Sequence, residues 1–209
     1  MEVLKIPYSK RLSCKKPLCQ INVYKFSEND IGPNVDIYSC HNRDTIKFKF
    51  KVFEPIIEVQ NFYPNFASEI NKDSTVGILL QPYNQDPKNL LLRVNAVGAY
   101  YLSFGQWYWN RADCTFEDNE FLRISNNYQK TIDKKLKNWE ITIEIDLPKL
   151  FKFINVTEWK YTPKTVMYGN FLKVSNFPKS DAHFGMWSKV ERNLFDCYKS
   201  DKLGQFILE

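Results

Sequence analysis

Residues 44–52, Asp-Thr-Ile-Lys-Phe-Lys-Phe-Lys-Val, alternate strictly between apolar and polar side chains. A period of two puts Ile46, Phe48, Phe50 and Val52 on one face of a strand and three lysines on the other. Residues 138–146 repeat the pattern: Trp139, Ile141, Ile143 and Ile145 face one way, Glu140, Thr142 and Glu144 the other. Trp139 is therefore expected in a core. Residues 75–82 form an apolar run closed by Pro82, and Tyr83-Asn84-Gln85-Asp86-Pro87-Lys88 reads as a turn. Residues 89–97 and 99–104, separated by Gly98, supply two further strands, so this stretch predicts an antiparallel meander. Residues 166–175 and 204–208 are the last two expected strands. Leu147-Pro148-Lys149-Leu150-Phe151 reads as a short helical turn opened near a proline. Segments 28–36, 110–119 and 126–138 are expected as loops, and no long amphipathic helix is visible. These elements predict an all-β fold class: one domain over residues 1–209, a two-sheet antiparallel β-sandwich, jelly-roll-like, with at most short helical turns.

Composition narrows the function classes. With 44% hydrophobic and 25% charged residues, the chain is neither disordered nor fibrous. No run approaches the roughly 18 apolar residues of a membrane span, so no membrane partner is expected. The start lacks the apolar stretch of a signal peptide. The five cysteines include no C-x-x-C pair, and His41 and His183 are the only histidines. A zinc site of the usual spacing is not expected, and reduced thiols in a cytoplasmic setting are expected. A secreted or periplasmic chain trimmed of its leader would read the same way.

The net charge of +5 is uneven: residues 1–52 hold 10 Lys/Arg against 5 Asp/Glu, and the remainder balances. The Lys47/Lys49/Lys51 stripe reads as the solvated face of a strand. No Arg cluster, RNP-like motif or basic helix accompanies it, so no nucleic-acid partner is expected.

Several blocks, in order, resemble the stand-alone proteins similar to family 9 carbohydrate-binding modules. They are the 44–52 strand with Phe53-Glu54; Asn71-Lys72-Asp73-Ser74-Thr75-Val76; Arg93-Val94-Asn95-Ala96-Val97-Gly98; Trp139-Glu140 through Leu147-Pro148; Tyr168-Gly169-Asn170-Phe171-Leu172-Lys173; His183-Phe184-Gly185-Met186-Trp187-Ser188; and Leu203-Gly204-Gln205-Phe206. Together they span residues 44–209, while the first 43 residues match loosely. The family often has Glu where Gly77 and Arg93 stand, and its Phe-His-x-Pro-Glu segment is replaced here by Leu194–Lys199. The resemblance implies a β-sandwich that binds sugar, with tryptophans gripping a ring and polar side chains bonding its hydroxyls. An associated glycan-processing enzyme would fit that role. Related modules carry calcium, but no Asp-x-Asp-x-Asp loop surrounds Asp73, and neither metal nor cofactor is expected.

A sugar ring offers apolar C–H faces and a fringe of hydroxyls, so its site needs flat aromatic plates and aimed polar groups. Arg93 and Asn95 share one face of an expected strand and suit the fringe as a donor fork and an amide. The alternative is a solvated or salt-bridged outer face. Trp107 and Trp109 share a face near a loop and are stacking candidates; their alternative is capping the core. Trp187 divides the same way between stacking and packing, and Trp159 reads as surface packing. His183 either bonds a hydroxyl or orders the loop carrying Trp187. Asn170 either enters the site or satisfies backbone groups, and Asp73-Ser74 reads as a turn or cap. Glu140 and Glu144 stand roughly 13 Å apart by strand rise, too far for a glycosidase pair. No nucleophile elbow, zincin motif or phosphate loop is present. Non-catalytic binding of a mono- or oligosaccharide is the leading expectation. A structural or protein-interaction sandwich with a decayed sugar site, and a glycan-active enzyme, are the alternatives.

Overall fold

The structure is a computed structural model that describes residues 1–27, 30–55, 59, 70, 72–83, 85–114, 120–156, 158–176 and 182–209. Asn84 of the expected turn, and residues 28–29 and 115–119 of two expected loops, lie outside the described residues.

The strands are β1 (Val3–Ile6), β2 (Cys19–Ile21), β3 (Val35–His41), β4 (Thr45–Val52), β5 (Thr75–Gln81), β6 (Asn89–Asn95) and β7 (Tyr100–Gly105). They continue as β8 (Arg111–Asp113), β9 (Leu122–Asn126), β10 (Trp139–Asp146), β11 (Thr165–Ser175), β12 (His183–Met186) and β13 (Gly204–Leu208). The larger sheet runs β1-β13-β11-β5-β6-β7-β8, with β12 paired to β11; the smaller runs β2-β3-β4-β10-β9. The sandwich is therefore as expected, and β5-β6-β7 is the expected meander. Among the described strands, β1 departs from the antiparallel rule: it lies parallel to β13, with Val3 opposite Gln205 and Ile6 opposite Leu208.

Alternation builds the core. Ile46, Phe48, Phe50, Val52, Trp139, Ile141, Ile143 and Ile145 point inward from the smaller sheet. They meet Val76, Ile78, Leu80, Leu92, Val94, Phe171 and Phe206 of the larger one. Phe171 is central, with its ring centroid 5.4 Å from Phe48, 5.7 Å from Phe50 and 5.0 Å from Phe206. On the outside of the smaller sheet the lysine stripe meets glutamates of the neighbouring strand: Lys47 lies 3.3 Å from Glu144 and Lys49 lies 2.9 Å from Glu140.

The run at 75–82 is continuously apolar because β5 is buried on both faces. Its Leu79, with Leu91 and Leu172, lies beneath Cys197, Tyr198 and Leu203 on the outer side of the larger sheet. Cys197 and Tyr198 belong to a 3-10 turn at Leu194–Tyr198, and a second turn follows at Ser200–Lys202.

The expected helical turn is α2 (Leu147–Phe153), which opens with Pro148 and is capped by Asp146 accepting from the Lys149 N–H at 3.0 Å. The expected loop at 126–138 contains a helix, α1 (Tyr128–Asp133), and the expected loops at 28–36 and 110–119 yield the start of β3 and the short β8.

The thiol expectation is corrected at one pair: Cys14 and Cys40 form a disulfide, with Cα atoms 5.7 Å apart. It fastens the segment after β1 to β3. The same corner holds His41, buried, whose Nε2–H donates to the Glu209 carbonyl at 2.8 Å while Nδ1 accepts from the Arg43 N–H at 3.2 Å. Burial, against the pull of the Glu209 contacts, keeps its pKa below the ordinary 6.5. Between the lowered folded value and 6.5 the unfolded chain binds the extra proton, so stability rises with pH there. Acidifying from about pH 7.5 to 5 is therefore expected to destabilise the fold. Denaturant unfolding across that range checks this, and His41→Gln is expected to flatten the slope.

Candidate functional site

The outer face of the larger sheet holds the polar residues that alternation places opposite the core. Arg93 and Asn95 stand there on β6, as expected, but neither is solvated. Arg93 is 8% exposed, and donates to Thr75 Oγ1 from Nη2 at 2.9 Å and from Nε at 3.3 Å. Gly77 lies directly across the ladder, where a Cβ would come within 3.4 Å of Arg93 Cγ. Burial lowers the Arg93 pKa, and the Tyr198, Tyr108 and Tyr101 hydroxyls oppose that shift. Asn95 gives its amide to Asp73 Oδ2 at 2.9 Å and accepts the Ala99 N–H at 2.9 Å. It thereby holds the β6–β7 turn, and Asp73 is the buried turn residue that its position suggested.

Three tyrosines, Tyr101, Tyr108 and Tyr198, surround Arg93. Tyr101 is its cross-strand partner on β7, and its hydroxyl donates to Asp113 Oδ1 at 2.7 Å. Burial pushes the Tyr101 pKa up to about 12. Tyr198 is buried beside it, with its ring 5.3 Å from Tyr108 and 6.0 Å from the Arg111 guanidinium. Arg111 is a pin: it donates to Ser103 Oγ at 2.9 Å, the Asn89 carbonyl at 2.7 Å and Asn89 Oδ1 at 3.0 Å. Tyr101 was legible as the strand neighbour of Arg93. Tyr198 was not, because a 3-10 turn delivers it.

Tyr108 links this floor to the tryptophans. Its ring lies 4.6 Å from Phe195, and it stands between Trp107 and Trp109 in the chain. Those indoles are parallel, 6° apart in plane with centroids 6.4 Å apart. Trp107 is half-buried, and Lys199 Nζ lies 5.7 Å from its centroid. Trp109 is 75% exposed. An exposed indole backed by a second plate, beside a face of tyrosine hydroxyls, can take the C–H face of a sugar ring.

The remaining expected residues lie elsewhere. Trp187 packs into the sandwich, its centroid 5.7 Å from Phe171 and 5.6 Å from Phe206, and a Cβ at Gly204 would overlap its ring. Asn170 exchanges two 2.8 Å hydrogen bonds with the Ser188 backbone and ties that segment to β11. His183 meets Lys173 Nζ at 2.8 Å on the interior side of β11. Tyr108 thus joins the Arg93 surroundings to the Trp107–Trp109 pair, while Trp187, Asn170 and His183 make their contacts elsewhere.

Of the free thiols, Cys19 is pushed up to about 12 by burial and Cys197 is pushed up further, so both are inert at neutral pH. Among the described residues, no cluster of His, Cys, Asp and Glu could hold a metal ion, and no helix is long and apolar enough to cross a membrane.

Comparison with known proteins bears on this geometry. The structure superposes on a candidate carbohydrate-binding protein from Bacteroides uniformis ATCC 8492 with a TM-score of 0.71 at 16% identity, covering 100% of this chain and 98% of that one. A family 9 carbohydrate-binding module from Caldicellulosiruptor kristjanssonii, solved in complex with cellotriose, gives 0.62 at 12% identity, with 100% and 94% coverage. The same organism's module in complex with glucose gives 0.62 at 11%, with 100% and 96% coverage. At these identities the likeness shows a shared fold. No curated protein matches the sequence significantly. A family model described as carbohydrate-binding family 9 matches residues 10–208. The chain belongs to carbohydrate-binding family 9.

Proposed function

We propose that the protein is a non-catalytic carbohydrate-binding module. It binds a mono- or oligosaccharide on the outer face of the larger sheet, beside the β7–β8 loop. The observation that carries this reading is the parallel Trp107–Trp109 pair, open at Trp109 and adjoining the Arg93–Tyr101–Tyr198 floor. Trp109 supplies the stacking plate, Trp107 backs it, and Tyr108 and Lys199 lie within reach of a sugar's hydroxyl fringe. Arg93 sets the charge of the floor. Glucose and cellotriose, the ligands in the two Caldicellulosiruptor complexes, are the natural first probes.

An exposed indole in a binding platform reports occupancy through its own fluorescence. A saturable change on titration with cellotriose is expected. Trp109→Ala is expected to weaken binding by about tenfold or more, ~1.4 kcal/mol, with the melting temperature unchanged. Isothermal titration against both probes and a wider glycan panel checks this, and full affinity in the Trp109→Ala variant would sink the reading.

One observation favours the structural alternative. The polar groups of Arg93, Asn95 and Asn170 are engaged within the protein. That alternative predicts no fluorescence response to any saccharide.

A further inference from the structure

The basic surplus of the first 52 residues lies in a different place from the lysine stripe. Lys5, Lys25, Lys47 and Lys49 each have a carboxylate partner: Glu209, Glu191, Glu144 and Glu140. Lys10, Arg11, Lys15, Lys16 and Arg43 are exposed, and none of the ion pairs among the described residues includes them.

The fold holds the segment that carries the first four of these cations against the turn that carries Arg43. Tyr8 bridges to His41, the Ser9 N–H donates to the His41 carbonyl at 2.7 Å, and the Cys14–Cys40 disulfide closes the strap. Residues 8–14 are thus held against 40–43. At the centre, the Arg43 guanidinium carbon lies 5.6 Å from the Tyr8 ring centroid and 5.7 Å from that of Tyr161. His41 packs against both rings, at 5.8 Å and 5.5 Å. Lys10 and Arg11 follow Tyr8 after Ser9.

Arg43 carries a second mark. It sits in the β3–β4 turn at φ +88°, a region that favours glycine and costs other residues on the order of 1 kcal/mol or more. The turn itself is closed by Asn42 and Thr45, whose backbone and side chain bond at 3.0 Å and 2.8 Å, so it does not need an arginine. A strained, unpaired guanidinium flanked by two tyrosine rings is built to meet something outside the chain.

We propose that Tyr8, Arg43 and Tyr161, with Lys10 and Arg11 beside them, form a second glycan site that takes a carboxylate-bearing sugar, a uronic acid residue of an acidic polysaccharide. The planar fork of Arg43 matches a carboxylate with two parallel hydrogen bonds. Tyr8, 48% exposed, offers a flat face to the C–H side of the same ring. Lys10 and Arg11 supply long-range attraction to neighbouring uronates. A nucleic-acid duplex presents one charge per about 1.7 Å and is gripped by arrays of cations; here one cation, Arg43, is held between two rings. This site is independent of the tryptophan platform. It follows β1, and five strand spacings of ~4.8 Å, about 24 Å in all, separate β1 from β7 in the larger sheet.

The test titrates the full chain with trigalacturonate at low salt by calorimetry, with cellotriose and a random DNA duplex as parallel probes. Saturable trigalacturonate binding is expected. Arg43→Gly is expected to weaken it at least tenfold while the melting temperature stays near the wild-type value, because glycine accepts the positive φ. Tyr8→Ala is expected to weaken trigalacturonate and leave any DNA affinity unchanged, and cellotriose binding is expected to be unaffected by either substitution. The proposal is overturned if trigalacturonate does not bind, or if Arg43→Gly leaves its affinity intact. It is also overturned if DNA binds as tightly and is weakened equally by Arg43→Gly, which would mark a general polyanion surface. Loss of cellotriose binding alone would count against the tryptophan platform and not against this site.

Discussion

Glu54→Gln is expected to lower the unfolding free energy by about 3–5 kcal/mol, the range for breaking a buried ion pair from one side. The partner is Lys173, whose side chain is 0% exposed at one end of the sandwich interior. Lysine is rarely fully buried unless paired. Its ammonium lies 3.2 Å from Glu54 Oε1, 2.6 Å from Ser74 Oγ and 2.8 Å from His183 Nε2. Glu54 Oε1 also accepts from Trp139 Nε1 at 3.1 Å and from Ser74 Oγ at 2.5 Å. Burial pushes the Lys173 pKa down, and Glu54 is the main influence raising it again. Glutamine keeps the shape and the acceptor for Trp139 but removes the countercharge, leaving a buried cation uncompensated. Pairing Glu54→Gln with Lys173→Met is expected to recover much of the loss, because an apolar side chain of similar length needs no countercharge. Urea unfolding of the three variants measures the coupling. A Glu54→Gln cost below about 1 kcal/mol would show that the pair carries no such weight.

Phe171→Ala is expected to cost about 3–5 kcal/mol. Phe171 contacts rings from both sheets and Trp187 besides. Removing it opens a cavity that the surrounding strands cannot close, since they are held by ladders on both sides. Trp187→Ala is expected to act in the same direction, with a smaller loss because Trp187 is half-buried. The two variants also separate packing from recognition. Compared at a temperature where both remain folded, each is expected to retain cellotriose affinity, in contrast to Trp109→Ala. Loss of affinity in Trp187→Ala with undiminished stability would return that indole to the list of sugar plates.

The sandwich was legible wherever alternation was clean. β4 and β10 read directly because their inward positions are all apolar. β3 did not, because its inward positions are Val35, Ile37, Ser39 and His41, and the last two break the pattern. β8 and β9 are short and largely exposed, so burial imposes little pattern on them. The family-like blocks were legible too, and five of them converge inside the sandwich. Glu54, Ser74, Trp139, Lys173 and His183 come from five of those blocks and meet in one interior cluster. They specify how the sheets close. The proposed platform was only partly legible: Trp107 and Trp109 stood out by type and spacing. Tyr198 and Lys199 reach the face through a turn at 194–198, where period-two reasoning has no purchase.

The parallel pairing of β1 with β13 joins residues 202 apart, Val3 to Gln205. Loop closure over that span is entropically costly, so this edge cannot seed folding and is expected to add after the β5–β6–β7 meander and its partners have formed. By the same reasoning it is the first part of the larger sheet to open in the native state. The disulfide and the Tyr8–His41 bridge limit that opening from one side, tethering the chain just beyond Ile6 to the other sheet. β1 is thus expected to open from its start, with its end anchored.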